Sequence, residues 1–452
     1  MARLTILGGG GFRVPLVHAA LLADRGPGRI TELVLHDVDS GRLAAVGQVI
    51  AERAAGAGPR VTATTDLDAA LRGADFVFSA IRVGGLAGRA IDEGVALAEG
   101  VLGQETVGAG GVAYGLRTVP VAVDLARRIA TVAPDAWVVN FTNPAGLVTE
   151  AMAAHLGDRV IGICDSPVGL ARRAARALGV DPSAVRLDYA GLNHLGWLRG
   201  LYSGGVDLLP RLLADDAALA SFEEGRLFGG EWLRALGALP NEYLHYHYFA
   251  REALAAARTT ETRATEATAA DARTGGETRG AQIARQQAAF YAGPSLAAWE
   301  EARLARERTY REARDAADLE GGGYEGVALA LMRALGGHGP ATLILNVRNR
   351  ATLPALDAEA VVEVPCAVDV SGARPLPVAP LDGHAAGLVT TVKAVERAVL
   401  EAATSGSRAA ALRAFALHPL VDSVAVARRL LDAYIDRHGP LSYLRGDSTV
   451  HP

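Results

Sequence analysis

Two side chains of metal-ligand type, Cys164 and His194, each follow directly on a short strand-like segment. Cys164 stands in Ile163-Cys-Asp-Ser-Pro167 and His194 in Gly191-Leu-Asn-His-Leu-Gly196. In open α/β sheets, ligands gather where strands end at their carboxyl edge. A thiolate and an imidazole can hold a catalytic cation whose remaining positions are filled by substrate hydroxyls and water. Ligand type alone admits Zn, Mn, Fe, Co or Ni. The plainer alternatives are a buried small hydrophobe for Cys164 and a core histidine donating to a carbonyl for His194. Ser166 reads as a helix N-cap with Pro167 at the first helical position, which leaves Asp165 to point at a substrate. Tyr243 lies in an aromatic and histidine cluster over residues 240–249. A tyrosine is a base only where nearby cations or an acceptor assist it, and helix packing is the alternative for these rings. Glu105, in Gly103-Gln-Glu-Thr106, places a carboxylate in a glycine-rich loop, or in a plain surface turn. Arg82, Arg89 and Arg279 are candidates for an anion, because guanidinium binds phosphate bidentately; solvated surface charge is the alternative.

A dinucleotide-binding start precedes all of these. Leu4-Thr-Ile-Leu leads into Gly8, Gly9, Gly10 and Gly11, followed by a helical segment over 15–23. Without Cβ atoms the turn can approach a pyrophosphate, which the helix N-terminus then attracts. Arg13 stands where the usual spacing has a third glycine. Asp37, at the end of the next strand, can accept from a ribose 2′-hydroxyl, which favours NAD over NADP. A second glycine cluster, Ile81-Arg-Val-Gly-Gly85, lines the same crevice in this reading.

The elements that must carry these residues alternate. Strands are expected over 4–7, 33–37, 60–64, 75–81, 137–141 and 159–164. Helices are expected over 15–23, 40–55 (capped at Ser40) and 66–71. That alternation predicts a parallel sheet covered on both faces. Beyond it come strands over 185–191, 197–202 and 360–370, and helices over 388–403, 409–416 and 424–434. Residues 251–280, rich in Ala, Thr, Arg and Glu with little apolar periodicity, read as a loosely packed insertion, a lid or a disordered loop. The expected fold class is α/β. A Rossmann-type dinucleotide domain over 1–165 is followed by an α+β domain over 166–452 for substrate, metal and oligomerisation.

The whole chain has 452 residues, half of them apolar and 21% charged, with a formal net charge of −5. It carries no long basic block, so neither nucleic acid nor an anionic membrane is an expected partner. No apolar run is long enough for a membrane span, and the N-terminus reads as a strand entering a glycine loop, not a signal peptide. Cys164 and Cys366 are the only cysteines, which suits a reducing cytoplasm.

Taken in order, these segments resemble glycoside hydrolase family 4, the NAD- and metal-dependent glycosidases. Asn140-Phe-Thr-Asn-Pro-Ala145, Thr278-Arg-Gly280, Val362-Glu-Val-Pro-Cys366 and His418-Pro-Leu extend the similarity through nearly the whole chain. The resemblance implies a lactate/malate dehydrogenase-like architecture. It implies NAD held by Gly8, Gly9, Gly10, Gly11, Phe12, Asp37 and Arg82, and a divalent metal, usually manganese, on Cys164 and His194. Tyr243 matches the base that removes the sugar C2 proton, Asp165 a general acid, and Glu105 a carboxylate that raises the tyrosine's basicity. Arg89, Asn143 and Arg279 match substrate contacts suited to a sugar 6-phosphate. The implied reaction is hydrolysis of a 6-phospho-β-glucoside, as a phosphorylated disaccharide or aryl glycoside. It runs through oxidation at C3, elimination, water addition and re-reduction, and not through paired carboxylates. An α-linked phosphosugar or an unphosphorylated hexoside is the alternative within the family; a plain NAD-dependent dehydrogenase is the alternative outside it. Aspartate after the cysteine is the dipeptide of α-specific members, and Arg348 stands where many relatives carry proline. A cytoplasmic homodimer or homotetramer is expected.

Overall fold

The structure is a computed structural model that describes residues 2–267, 278–311 and 323–444. Its strands are β1 (Ala2–Leu7), β2 (Ile30–His36), β3 (Arg60–Thr64), β4 (Phe76–Ser79), β5 (Trp137–Asn140), β6 (Val160–Gly162) and β7 (Arg186–Leu192). The series continues with β8 (Leu195–Ser203), β9 (Val206–Asp207), β10 (Leu239–Pro240), β11 (Ala341–Arg348), β12 (Val361–Asp369) and β13 (Gly372–Pro375). They form one mixed sheet in the order β10-β8-β7-β12-β11-β6-β5-β4-β1-β2-β3, with β9 paired to β8 and β13 to β12 off this path. The run from β3 to β6 is parallel throughout; from β6 to β10 every pairing is antiparallel.

The parallel half is the expected Rossmann arrangement. The chain winds from β1 outward to β2 and β3, then returns to β4 on the other side, which makes the end of β1 the switch point where ligands bind. The central strands there are buried between helices, with Leu4, Ile6 and Leu7 of β1 at 0% exposure, while the edge strand β3 is largely exposed. The helix after β2 spans Ser40–Ala54, but its cap is Asp39, whose carboxylate accepts from the Arg42 N–H at 3.0 Å. Ser40 is therefore inside the helix and not its cap. β11 is absent from the strands expected above. Residues 344–347 are all buried, so the segment lacks the period-two alternation that marks a half-exposed strand.

The chain divides into two compact units. The first comprises Met1–Ile81, Leu125–Glu242 and Gln286–Leu381, and it holds every strand. The second comprises Arg82–Asp124, Tyr243–Arg285 and Asp382–Pro452. It is helical, with Gly85–Ala98, Gly383–Ser405, Arg408–Ala416 and Val424–Arg437 as its main elements. Within it Arg117 and Asp92 form a fully buried ion pair, joined by His438 Nε2 at 2.9 Å from Asp92 Oδ1. The segment expected as a loosely packed insertion is helical over Ala250–Ala267, since Ala, Arg and Glu favour helix even without an apolar stripe. Residues 268–277 lie outside the described residues. Among the described residues, no helix is long and apolar enough to cross a membrane.

Candidate active site

In the first unit the glycine turn is fixed from both sides. The N–H groups of Gly8 and Gly9 both donate to the His36 carbonyl, at 2.9 and 2.7 Å. Gly8 has φ +86, and a Cβ there would lie 2.5 Å from the Ala80 carbonyl oxygen; one on Gly9 would lie 2.8 Å from the His36 nitrogen. Only glycine lets the turn sit this close to β2 and to the residue after β4. Gly10 N–H donates to Asp37 Oδ2 at 2.9 Å, so the strand-end acid is oriented by the turn itself. The Phe12 ring packs edge-on against Phe290 at 5.7 Å within a core cluster, so only its backbone faces the turn. Arg13 replaces the third glycine because its guanidinium lies over the Tyr324 ring, 4.9 Å from the centroid, while Tyr324 Oη–H donates to its carbonyl at 3.0 Å.

One register row joins this turn to the thiol and the imidazole. Leu7 pairs with Ser79, Ser79 with Asn140, and Asn140 with Gly162. Gly162 then pairs with Asn346, Asn346 with Glu363, Glu363 with Gly191, and Gly191 with Gly196. In the parallel half this row is the last residue of each strand. Gly8 comes one residue after it, Cys164 two after Gly162, and Asn143 three after Asn140. Asn193 and His194 form the two-residue connection between β7 and β8. Asn143 precedes Pro144 through a cis peptide bond. His194 has φ +62, an uncommon left-handed backbone for a side-chain-bearing residue.

The row's polar side chains are buried, and apart from the Asn346 amide oxygen they are satisfied. Glu363, at 0% exposure, accepts from Asn193 Nδ2 at 3.1 Å, Asn346 Nδ2 at 3.0 Å and the Tyr189 hydroxyl at 3.0 Å. Burial pushes its carboxyl up to about 7 against the pull of these three donors. Cys164 is buried, and its thiol is pushed up, first by burial and then by the charges of Glu363, Asp165 and Glu242. Asp165 occupies the N-cap position of the helix Ser166–Ala177 but makes no side-chain capping bond. The Ser166 hydroxyl donates instead to Glu242 Oε1 at 2.6 Å, so Ser166 is not the cap that its place before Pro167 suggested. Glu363, Asn346 and Glu242 were not among the expected site residues. The available signal was a lone acid inside the apolar run Val361-Val-Glu-Val.

The second unit gathers Arg82, Arg89 and Glu105. Arg89 Nη1 meets Glu105 Oε2 at 2.6 Å, and Arg82 pairs with the other oxygen of the same carboxylate. Arg89 Nε also donates to Glu93 Oε1 at 2.7 Å. Arg82 is held charged by this environment, although burial alone would oppose it. Glu105 is thus a partly buried bridge between two guanidiniums and not a surface turn. Arg279 Nη1 donates to Gln282 Oε1 at 2.6 Å. Tyr243 is half-buried in a short 3₁₀ turn, its ring 6.4 Å from that of Tyr246.

A Rossmann-type sheet with a glycine turn at its switch point defines the class of dinucleotide-binding α/β folds. Model matches narrow it: residues 3–180 match the family 4 glycosyl hydrolase model and 189–421 its C-terminal domain. The chain belongs to glycosyl hydrolase family 4. It is 31% identical over 446 residues to a probable 6-phospho-beta-glucosidase of Bacillus subtilis (strain 168), covering 96% of each chain. Its fold matches a 6-phospho-alpha-glucosidase from gut microorganisms, solved in complex with NAD and Mn2+. The TM-score is 0.79 at 25% identity, over 96% of this chain and 97% of the other. It equally matches the Thermotoga maritima 6-phospho-beta glucosidase solved with NAD and glucose-6-phosphate. There the TM-score is 0.79 at 26% identity, over 96% and 98%.

Proposed function

We propose that this chain is an NAD- and manganese-dependent 6-phospho-β-glucosidase acting on phosphorylated disaccharides or aryl glycosides. The observation that carries the reading is the shared sheet edge, on which one register row supports both the glycine turn and the residues Cys164 and His194. The residues fit the two groups. Gly8 and Gly9 leave room for backbone approach to a pyrophosphate. Beside Cys164, Glu363 is a buried acid whose three donors are all uncharged, so an incoming cation balances a charge that the protein leaves open. Cys164 and His194 would be the two protein ligands, with substrate hydroxyls and water completing the shell.

When bound, the cofactor takes hydride from sugar C3 and returns it, and the cation stabilises charge on the neighbouring oxygens. The chain's own residues do the rest. Tyr243 removes the C2 proton, which a C3 ketone has made acidic. Asp165, whose carboxylate is not spent on capping, protonates the departing aglycone oxygen. Arg89, Asn143 and Arg279 hold the phosphorylated sugar. Glu105 supports the tyrosine's basicity through the cluster it shares with Arg82 and Arg89. We take the protein to be a cytoplasmic homodimer or homotetramer, with the cofactor half within residues 1–165.

The test is turnover of p-nitrophenyl 6-phospho-β-glucoside in heavy water with NAD and Mn²⁺. Deuterium is expected at C2 of the released sugar, and a product without it removes Tyr243 from this role. Cys164→Ser is expected to abolish metal-dependent turnover and to retain NAD binding. A second reading, the α-anomer, is favoured by Asp165 following Cys164; the same assay with the α-linked substrate decides between them.

A further inference from the structure

We propose that Glu93 is a positioning residue that presents Arg89 and the Arg279 segment to a phosphorylated substrate; the proposal rests on the phosphosugar reading above. Glu93 is 3% exposed and lies one turn after Arg89 in the helix Gly85–Ala98. Its two oxygens do different jobs. Oε1 accepts from Arg89 Nε at 2.7 Å, and Oε2 accepts from the Gly280 N–H at 2.7 Å. One carboxylate therefore ties an arginine of its own helix to the first turn of the helix Arg279–Ala292.

The two segments are in close contact at this point. A Cβ on Gly280 would lie 2.9 Å from the Ala90 nitrogen and 3.0 Å from Arg89 Cγ. One on Gly94 would lie 3.9 Å from Thr278 Cγ2. Glycine at 280 is thus a condition for docking residues 278–280 against the helix that carries Arg89. With Nε held by Glu93 and Nη1 by Glu105, the Arg89 fork cannot swing, and its Nη2 edge is the one left to meet an anion. A fork held in place before binding loses little freedom when the ligand arrives.

The second oxygen has a further effect. The first-turn N–H groups of a helix attract anions, and Glu93 occupies one of them. Phosphate recognition is thereby assigned to the arginine side chains. Arg82 and Arg89 are balanced by Glu93 and Glu105, so these two arginines serve as aimed donors more than as net positive charge.

The test uses the holoenzyme with NAD and Mn²⁺, the chromogenic 6-phosphoglucoside as substrate and glucose 6-phosphate as inhibitor. Glu93→Gln is expected to raise KM and the inhibition constant about tenfold while kcat changes by less than about threefold. Gly280→Ala, which displaces the docked segment and leaves Glu93 in place, is expected to show the same split. Far-UV circular dichroism and NAD binding serve as folding controls. Unchanged KM and inhibition constant in both folded variants overturn the proposal, as does a fall in kcat with KM constant. A parent enzyme that glucose 6-phosphate does not inhibit overturns the phosphosugar reading itself, a result distinct from a parent that is inhibited and variants that match it.

Discussion

Glu363 and Asp92 are both carboxylates at 0% exposure, and the two regions that hold them satisfy them in different ways. Asp92 receives both nitrogens of a wholly buried guanidinium, Arg117 Nη1 at 2.6 Å and Nη2 at 2.5 Å. Glu363 receives two amides and a phenol. The first arrangement is closed: charge meets charge inside the second unit, and nothing further is required of it. The second is open: hydrogen bonds are complete but the charge is not answered. A buried charge without a counter-ion is costly, and burial has raised the Glu363 carboxyl to about 7. Closed pairs support geometry, whereas an open charge is a place for something to bind.

Breaking the closed pair carries the largest expected effect. Arg117→Met leaves the buried Asp92 carboxylate hydrogen-bonded to His438 and without its paired guanidinium, at a cost of about 3–5 kcal/mol, measured by chemical denaturation. A loss below about 1 kcal/mol would mean that Asp92 is not held mainly by charge.

Removing the open charge works in the opposite direction. Glu363→Gln keeps an acceptor for Asn193 and Asn346, and Tyr189 can turn its hydroxyl to accept. In the folded parent the acid holds its proton up to about pH 7, from an ordinary value of 4.5. The unfolded chain releases that proton earlier, so the metal-free parent loses stability as pH rises from about 4.5 to 7, by on the order of 3 kcal/mol. Thermal melts of the metal-free glutamine variant should be flatter over that range, and its Mn²⁺ affinity, by calorimetric titration, about 10–100-fold weaker. Equal Mn²⁺ affinity would separate Glu363 from the ligand pair.

The smallest effect lies far from either acid. Asp39→Ala removes the cap of the helix Ser40–Ala54 and should cost about 1 kcal/mol without changing Mn²⁺ affinity. A loss well above about 2 kcal/mol would show that the Asp39 side chain does more than cap this helix.

The parallel half of the sheet was legible because its central strands are apolar runs ended by turn residues, and because the glycines from Gly8 to Gly11 mark a place where the backbone turns and approaches. Cys164 and His194 were legible as strand-end residues. β11 was not, since its apolar run Leu343-Ile344-Leu345 is short and broken by the buried Asn346. Glu363 was not, since an acid in a strand ordinarily marks its solvent face. The linkage of Arg82 and Arg89 through Glu105, and of Glu93 to Gly280, joins residues distant in sequence, which spacing alone does not bring together. Ser166 was misread because a serine before Pro167 is an ordinary cap, and only the fold brings Glu242 within reach of its hydroxyl.

The left-handed backbone of His194 bears on stability. A side chain in that conformation costs roughly 1 kcal/mol that glycine would not, so the two-residue connection between β7 and β8 gives up a little turn stability to place an imidazole there.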